Sequence, residues 1–197
     1  MPNHVLTPAT LWHVTDDTHD EAGWVLLSYR VPAEPSRHRV AVWRELRKVG
    51  AISLQQATWI LPAKREFMDA LTRVVALVER GGGEALVFNV DGRDDQTEGR
   101  LEAMFTEARE GEWTEFLSEC GKFEAEIEKE IRTAKFATAE LDEEEQNLDR
   151  LRRWFRELRG RDVFVAPSQE TAERRLKGCA ELLEVFSERV YGHGGAP

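Results

Sequence analysis

The chain is short of several things, and each shortage removes a class of protein. Its 197 residues include two cysteines, Cys120 and Cys179, too few for a disulfide framework or a four-thiolate zinc site. No apolar run nears the roughly 20 residues that a membrane helix needs; the uninterrupted stretches are short, such as Trp24–Leu27 and Val74–Val78. Met1–Gly23 has neither the basic start nor the apolar centre of a signal peptide. No membrane partner is therefore expected, and the expected compartment is the reducing cytoplasm. Gly81–Gly83 follows a helical stretch and precedes no Lys-Ser/Thr pair, so it is not a phosphate loop. A nucleophile elbow and a zinc motif are also missing, so no cofactor and no enzymatic activity are expected. Positive charge is scarce as well: 27 Lys and Arg face 37 Asp and Glu, a formal net charge of -10. That balance excludes indiscriminate nucleic-acid binding and leaves room only for a local basic patch.

What is present is divided near Asp91. Before it come strand-forming runs and turn residues; after it Glu, Leu, Arg and Ala dominate and the acidic excess accumulates. Met1–Ala22 is polar, and a flexible tail is expected over 1–22. Trp24–Arg30 reads as a buried strand. Pro32, Pro35 and Ser36 break it and open a helix whose apolar spacing is Val40, Trp43 and Leu46, with Gly50 as its C-cap. Ile52–Leu54 and Thr58–Leu61 read as short strands. Lys64–Arg80 reads as a helix with Phe67, Leu71, Val74 or Val75, and Val78 inside, and Glu84–Val90 as a fourth strand. This order, βαββαβ, predicts a ferredoxin-like domain over 23–91.

A helical domain is expected over 98–191. Phe116, Cys120, Phe123, Ile127, Ile131 and Ala134 form one stripe; Leu141, Leu148, Leu151, Phe155 and Leu158 form another. They predict antiparallel helices with a corner at Lys135–Thr138. Asp162–Ala166 reads as an extended link, and Ser168 as the N-cap of a last helix carrying Leu176, Cys179 or Ala180, Leu183, Phe186 and Val190. A second flexible tail is expected over 192–197. The fold class is thus α+β, a ferredoxin-like βαββαβ domain followed by an antiparallel helical domain.

Four features carry chemistry. Arg30, Arg37, His38, Arg39, Arg44, Arg47 and Lys48 gather around the opening helix, offset only by Glu34 and Glu45. Arg37, Arg44 and Lys48 share a helical face, and a helix N-terminus adds partial positive charge, so phosphate or a small oxyanion suits this surface. Arg150, Arg152, Arg153, Arg156, Arg159 and Arg161 interleave with Trp154 and Phe155 as a second basic surface, with Glu143–Glu145, Asp149 and Glu157 in reach as internal partners. Glu126 with Glu130 and Glu140 with Glu144 are i, i+4 carboxylate pairs that either hold a cation or pair with basic residues. No histidine between His38 and His193 completes a di-metal motif. Cys120 and Cys179 lie on the stripes of different helices, either as small apolar residues or as a touching pair.

The run from Trp24 to Gly50, WVLLSYRVPAEPSRHRVAVWRELRKVG, resembles the start of the N-terminal domain of the ChrB family of bacterial chromate-resistance proteins. The likeness continues through QQATWILP (55–62), AEIEKE (125–130), AELDEEE (139–145), LRRW (151–154) and RDVF (161–164). The resemblance implies a chromate-responsive transcriptional regulator of an efflux operon, binding promoter DNA under control of chromate or a similar oxyanion. Longer members carry a further C-terminal domain, and nothing after Tyr191 corresponds to it. The first domain is also similar to that of PaaX-type repressors and of a small dimeric CRISPR-associated nuclease, which implies a homodimer. That nuclease family holds Mg²⁺ with an aspartate at the end of its first strand. Tyr29-Arg30 stands there instead, and arginine does not ligate Mg²⁺.

The preferred function is therefore a non-enzymatic DNA-binding regulator, with Arg30, Arg37, His38, Arg39, Arg44 and Arg47 at phosphate or oxyanion and Arg152, Arg153 and Arg156 as a second surface. The alternatives are an oxyanion or metal sensor without DNA contact, or a nuclease using the helical carboxylates.

Overall fold

Strand and helix periods alternate along the first 90 residues. The computed structural model describes residues 23–194. Their elements are β1 (Trp24–Arg30), α1 (Arg37–Val49), β2 (Ile52–Gln55), β3 (Thr58–Pro62), α2 (Arg65–Arg80), β4 (Glu84–Val90), α3 (Asp95–Arg132), α4 (Thr138–Arg161) and α5 (Gln169–Gly194). The four strands form one antiparallel sheet in the order β2-β3-β1-β4. β1 and β2 run the same way with β3 inserted between them, the split βαβ arrangement of ferredoxin-like folds. Register is continuous from β3 through β1 to β4, with Leu26 between Ile60 and Phe88; Ile60 lies opposite Ile52, and the β2–β3 register shifts between Ser53 and Gln55. β1 and β4 have the bounds expected from sequence, because alternation and flanking Gly or Pro mark strand ends locally.

α1 and α2 close the core of the sheet. Val25, Leu27 and Leu61 join Val42 and Leu46 of α1 and Phe67, Leu71, Val74 and Val78 of α2 in one apolar cluster. α1 corrects the sequence reading. Its buried residues are Val42 and Leu46, while Val40 and Trp43 are 41% and 51% exposed. Prolines 32 and 35 precede the helix rather than opening its first turn.

α3 is a single helix of 38 residues, about 57 Å long at 1.5 Å per residue. Asp94 caps it, accepting from the Thr97 backbone N–H at 2.9 Å and from the Thr97 hydroxyl at 2.7 Å. Its first half packs on the sheet: Phe105 touches Trp24, Phe67 and Phe164. Its second half enters another cluster with α4 and α5, from Trp113 to Ile127. The pairing of side chains gives the helix directions. Phe116 meets Trp154, and near the other end of α3 Glu130 faces Glu140, so α3 and α4 are antiparallel. Glu110 bonds Ser168 and Cys120 meets Cys179, so α5 runs parallel to α3.

Three details depart from expectation. The segment 162–166 is turned rather than extended. The buried Asp162 carboxylate folds it, accepting from Trp113 Nε1 at 2.7 Å and from the Ala166 N–H at 3.0 Å, and Val165 adopts φ +56. Ser168 precedes α5 as expected, but its hydroxyl donates to Glu110 rather than capping the helix. Residues 192–194, expected in the second tail, continue α5; the expected tail 1–22 and residues 195–197 lie outside the described residues.

Candidate nucleic-acid interface

The exposed face of α1 follows from its buried one. With Val42 and Leu46 inside, positions 37, 44 and 48 fall on the opposite side at the 3.6-residue period. Arg37, Arg44 and Lys48 are all exposed, as are Arg39 and Arg47. Trp43 lies between Arg39 and Arg47 at i, i+4 and i, i+8. None of these five basic side chains has an ion-pair or hydrogen-bond partner among the described residues. Glu45 does not neutralise them, because it pairs with Arg73 of α2 at 3.3 Å. The first turn of α1 holds no acidic residue, and Ser36 makes no side-chain cap. Its N–H groups and the arginines therefore present uncompensated positive charge.

The other expected residues divide. Arg30 is exposed and lies 3.8 Å from Glu84, a contact worth little in solvent. His38 is half-buried with its side chain against Gly81, where a Cβ would approach within 3.0 Å; it is part of the α1–α2 packing. On α4, Arg152 pairs with Asp149 at 3.2 Å, Arg159 with Glu173 at 3.7 Å and Arg161 with Glu112 at 3.0 Å. Arg153 and Arg156 are exposed and have no such partner among the described residues. The expected interleaving aromatics are structural: Phe155 is buried, and Trp154 packs edge-on against Phe116 with ring centroids 5.4 Å apart.

One arginine that mattered escaped the sequence reading. Arg109 of α3 is 3% exposed. Its Nη1 donates to the Gly50 carbonyl oxygen at 2.9 Å, its Nε lies 3.0 Å from Glu112, and its guanidinium stacks over Phe105 at 4.7 Å. Arg161 of α4 binds the same Glu112 and donates to the Lys48 carbonyl at 3.4 Å. Two long helices thus grip the C-terminus of α1 through its last carbonyls, which no intrahelical donor satisfies. Burial pushes the Arg109 pKa down, and Glu112 opposes this. An arginine at an interior position of a long helix, three residues before a glutamate, was the only local signal.

Beside Trp43 and Arg47 opens a groove of about 780 Å³, bounded by Tyr29, Trp59 and Gln56 on the sheet side and by Met104, Arg109 and Glu112 on α3. Burial raises the Tyr29 pKa, and a hydrogen bond with Trp59 opposes the shift. The groove's α3 wall carries Glu107, Glu112 and Glu115. Negative charge on that wall contrasts with the basic α1 rim at Arg47.

The carboxylate pairs meet across α3 and α4. Glu130 and Glu144 are 3% and 4% exposed and line a cleft of about 340 Å³ with Glu126 and Glu140. Glu126 binds Lys129 at 2.7 Å, Glu140 binds Lys135 and shares a hydrogen bond with Glu130, and Glu144 accepts from Asn147 at 3.3 Å. One Glu130 oxygen has no hydrogen-bond partner. Burial first, and then the hydrogen bond to Glu140, push the Glu130 pKa up to about 7. Burial raises Glu144 as well. Among the described residues no three His, Cys, Asp or Glu side chains converge to hold a metal ion, and no helix is long and apolar enough to cross a membrane.

Fold and surface together define a class: a ferredoxin-like sheet continued by a three-helix bundle, with a basic, aromatic-flanked helix on its outside. The chain belongs to the family described as Protein ChrB, N-terminal, which it matches over residues 39–196. It is also similar to Protein ChrB of Cupriavidus metallidurans (strain CH34), with 28% identity over 99 residues. That alignment covers 50% of this chain and 31% of the relative, so the chain spans about a third of the length of the relative it matches. The family match begins within α1 and includes Arg39, Arg44 and Arg47.

Proposed function

We propose that this chain is a non-enzymatic transcriptional regulator of a chromate-resistance operon that binds promoter DNA through the exposed face of α1. The observation that carries the reading is the stripe Arg37, Arg44 and Lys48, flanked by Arg39, Arg47 and Trp43, with no internal ion pair among the described residues. An arginine fork left unpaired on a rigid helix is preorganised for phosphate oxygens. Chromate or a related oxyanion competes for the same charge at the start of α1, where Arg37 and Arg39 stand in a first turn that holds no acidic residue. Arg153 and Arg156 supply a second contact region. The regulator acts in the cytoplasm as a homodimer. The free edge of β4, with Leu86 and Phe88 61% and 46% exposed, supports that part of the reading.

The test is fluorescence anisotropy with a duplex from the promoter region of the chain's own gene, at two salt concentrations, with chromate and with sulfate. Sequence-preferring binding that weakens steeply with salt and is relieved by chromate is expected. Failure to bind the promoter more tightly than unrelated DNA overturns the regulatory reading. Binding that is indifferent to both anions overturns the oxyanion response alone.

A further inference from the structure

The two cysteines of the chain are 59 positions apart, yet the bundle brings them together. Cys120 of α3 and Cys179 of α5 are both fully buried. Cys179 Sγ lies 3.8 Å from the Cys120 carbonyl oxygen and 3.8 Å from Glu124 Oε1. The two thiols are hydrogen-bond partners. A purely apolar contact between small side chains needs no charge beside it, but here charge is present. Arg175 binds Glu124 in a fork, Nε to Oε1 at 3.1 Å and Nη2 to Oε2 at 2.6 Å, directly over the thiols. The Arg175 side chain is 43% exposed, so the thiol pair lies next to a surface ion pair. Glycine stands beside each cysteine, Gly121 and Gly178. A Cβ on Gly121 would lie 3.3 Å from Arg175 Nη2, and one on Gly178 would meet nothing within 4 Å.

We propose that Cys120 and Cys179 form a thiol-oxidation site that consumes a two-electron oxidant of the peroxide class and closes into an intramolecular disulfide between α3 and α5. The roles follow from the hydrogen bond. Cys179 donates toward Cys120, and this draws the Cys120 pKa down; the same hydrogen bond first, then burial and the neighbouring Glu124, hold Cys179 protonated. Cys120 is thus the nucleophile. Its thiolate attacks one peroxide oxygen, the O–O bond breaks, and the departing hydroxide takes the proton that Cys120 released. Cys120 is then a sulfenic acid. The Cys179 sulfur attacks it, the S–O bond breaks, and the hydroxyl leaves as water with the Cys179 proton. Two thiols and one hydrogen peroxide become one disulfide and two waters. The site is independent of the DNA reading.

The experiment treats the reduced full chain with hydrogen peroxide, quenches the reaction, and measures intact mass, thiol titre in guanidinium and mobility on non-reducing gels. Loss of both thiols is expected, with a mass lower by two hydrogens, monomeric mobility, and full reversal by dithiothreitol. A raised melting temperature in the oxidised chain is also expected, because the cross-link closes a long loop. Persistence of both thiols, direct conversion to sulfinic acid, or only intermolecular cross-links overturns the proposal. With C179S, Cys120 is expected to stop at the sulfenic acid and be trapped by dimedone. If C120S instead gives the dimedone adduct on Cys179, the assignment of the nucleophile is wrong. The wild-type mass measurement decides the proposal even if a serine variant does not fold.

Discussion

Arg109 Nη1 donates to the carbonyl oxygen of Gly50 at 2.9 Å. The bond joins the middle of α3 to the end of α1, and it is made at the point where α3 passes from the sheet core to the bundle core. Gly50 has φ +84, and a Cβ there would stand 2.3 Å from Arg109 Nη1. The left-handed C-cap and the guanidinium therefore require each other's geometry. The junction ties the end of the basic helix to α3, while burial of Val42 and Leu46 sets which face of that helix is outward.

Arg109→Ala is expected to destabilise the chain by about 3 kcal/mol, because it strands the Gly50 carbonyl, empties the buried space over Phe105 and leaves Glu112 with Arg161 alone. Gly50→Ala is expected to cost more than the roughly 1 kcal/mol of left-handed strain, since Arg109 must also move. Urea unfolding measures both. Losses below about 0.5 kcal/mol in both variants mean that the junction is not a structural hub.

Removing charge from α1 is expected to act on binding and not on folding. R37A/R44A changes two exposed side chains with no ion-pair partner among the described residues, so stability is expected to shift by less than about 0.5 kcal/mol per site. The slope of log affinity against log salt is expected to shrink by about 2, one unit per lost phosphate contact. R153A/R156A is expected to have the smaller effect. The reverse ranking, measured by anisotropy on the promoter duplex, relocates the DNA surface to α4.

The Glu130 cluster sets a pH dependence whose sign is opposite to that of an ordinary surface carboxylate. Folding raises the Glu130 pKa from 4.5 to about 7, so between those values the native state holds a proton that the unfolded state has lost. Stability is complete below the unfolded value and declines as pH rises through the folded one. Glu144 is shifted in the same direction, while Lys135 and Glu130 hold the Glu140 carboxyl down. The loss attributable to Glu130 is about 3 kcal/mol at most. Glu130→Gln is expected to flatten stability between pH 5 and 8 and to be more stable than wild type at the upper end. Thermal melts across that range that are parallel for the two proteins contradict this.

The free edge of β4 gives a prediction for assembly. If the chain forms the proposed homodimer through β4, Leu86→Lys with Phe88→Lys is expected to give a monomer in light scattering at micromolar concentration, with a circular-dichroism melt close to wild type. A wild type that is already monomeric removes β4 as the dimer contact.

Local sequence determined the element order, the bounds of β1 and β4, and the stripes of α3, α4 and α5, because strand alternation and helical spacing are properties of consecutive residues; the last expected member of the α3 stripe, Ala134, instead lies past the helix end, exposed at φ +53. The likeness to the ChrB N-terminal family was legible in the same way, as short conserved-looking runs of residue types. The tertiary structure decided what depends on contacts far apart in the chain. On α1, Val40, Trp43 and Leu46 satisfy helical spacing as well as Val42 and Leu46 do. Only packing against the sheet and α2 left Trp43 outside among the arginines. Arg109 looked like one more cation of a charged helix until it was buried against Gly50, 59 residues away. Of the expected α4 charge pairing, Arg152 with Asp149 forms within the helix, whereas Arg159 and Arg161 reach Glu173 and Glu112 on other helices. The carboxylate pairs became a protonating cluster, and the cysteines a touching pair, only when the corner after α3 and the turn at Asp162 laid the three helices side by side.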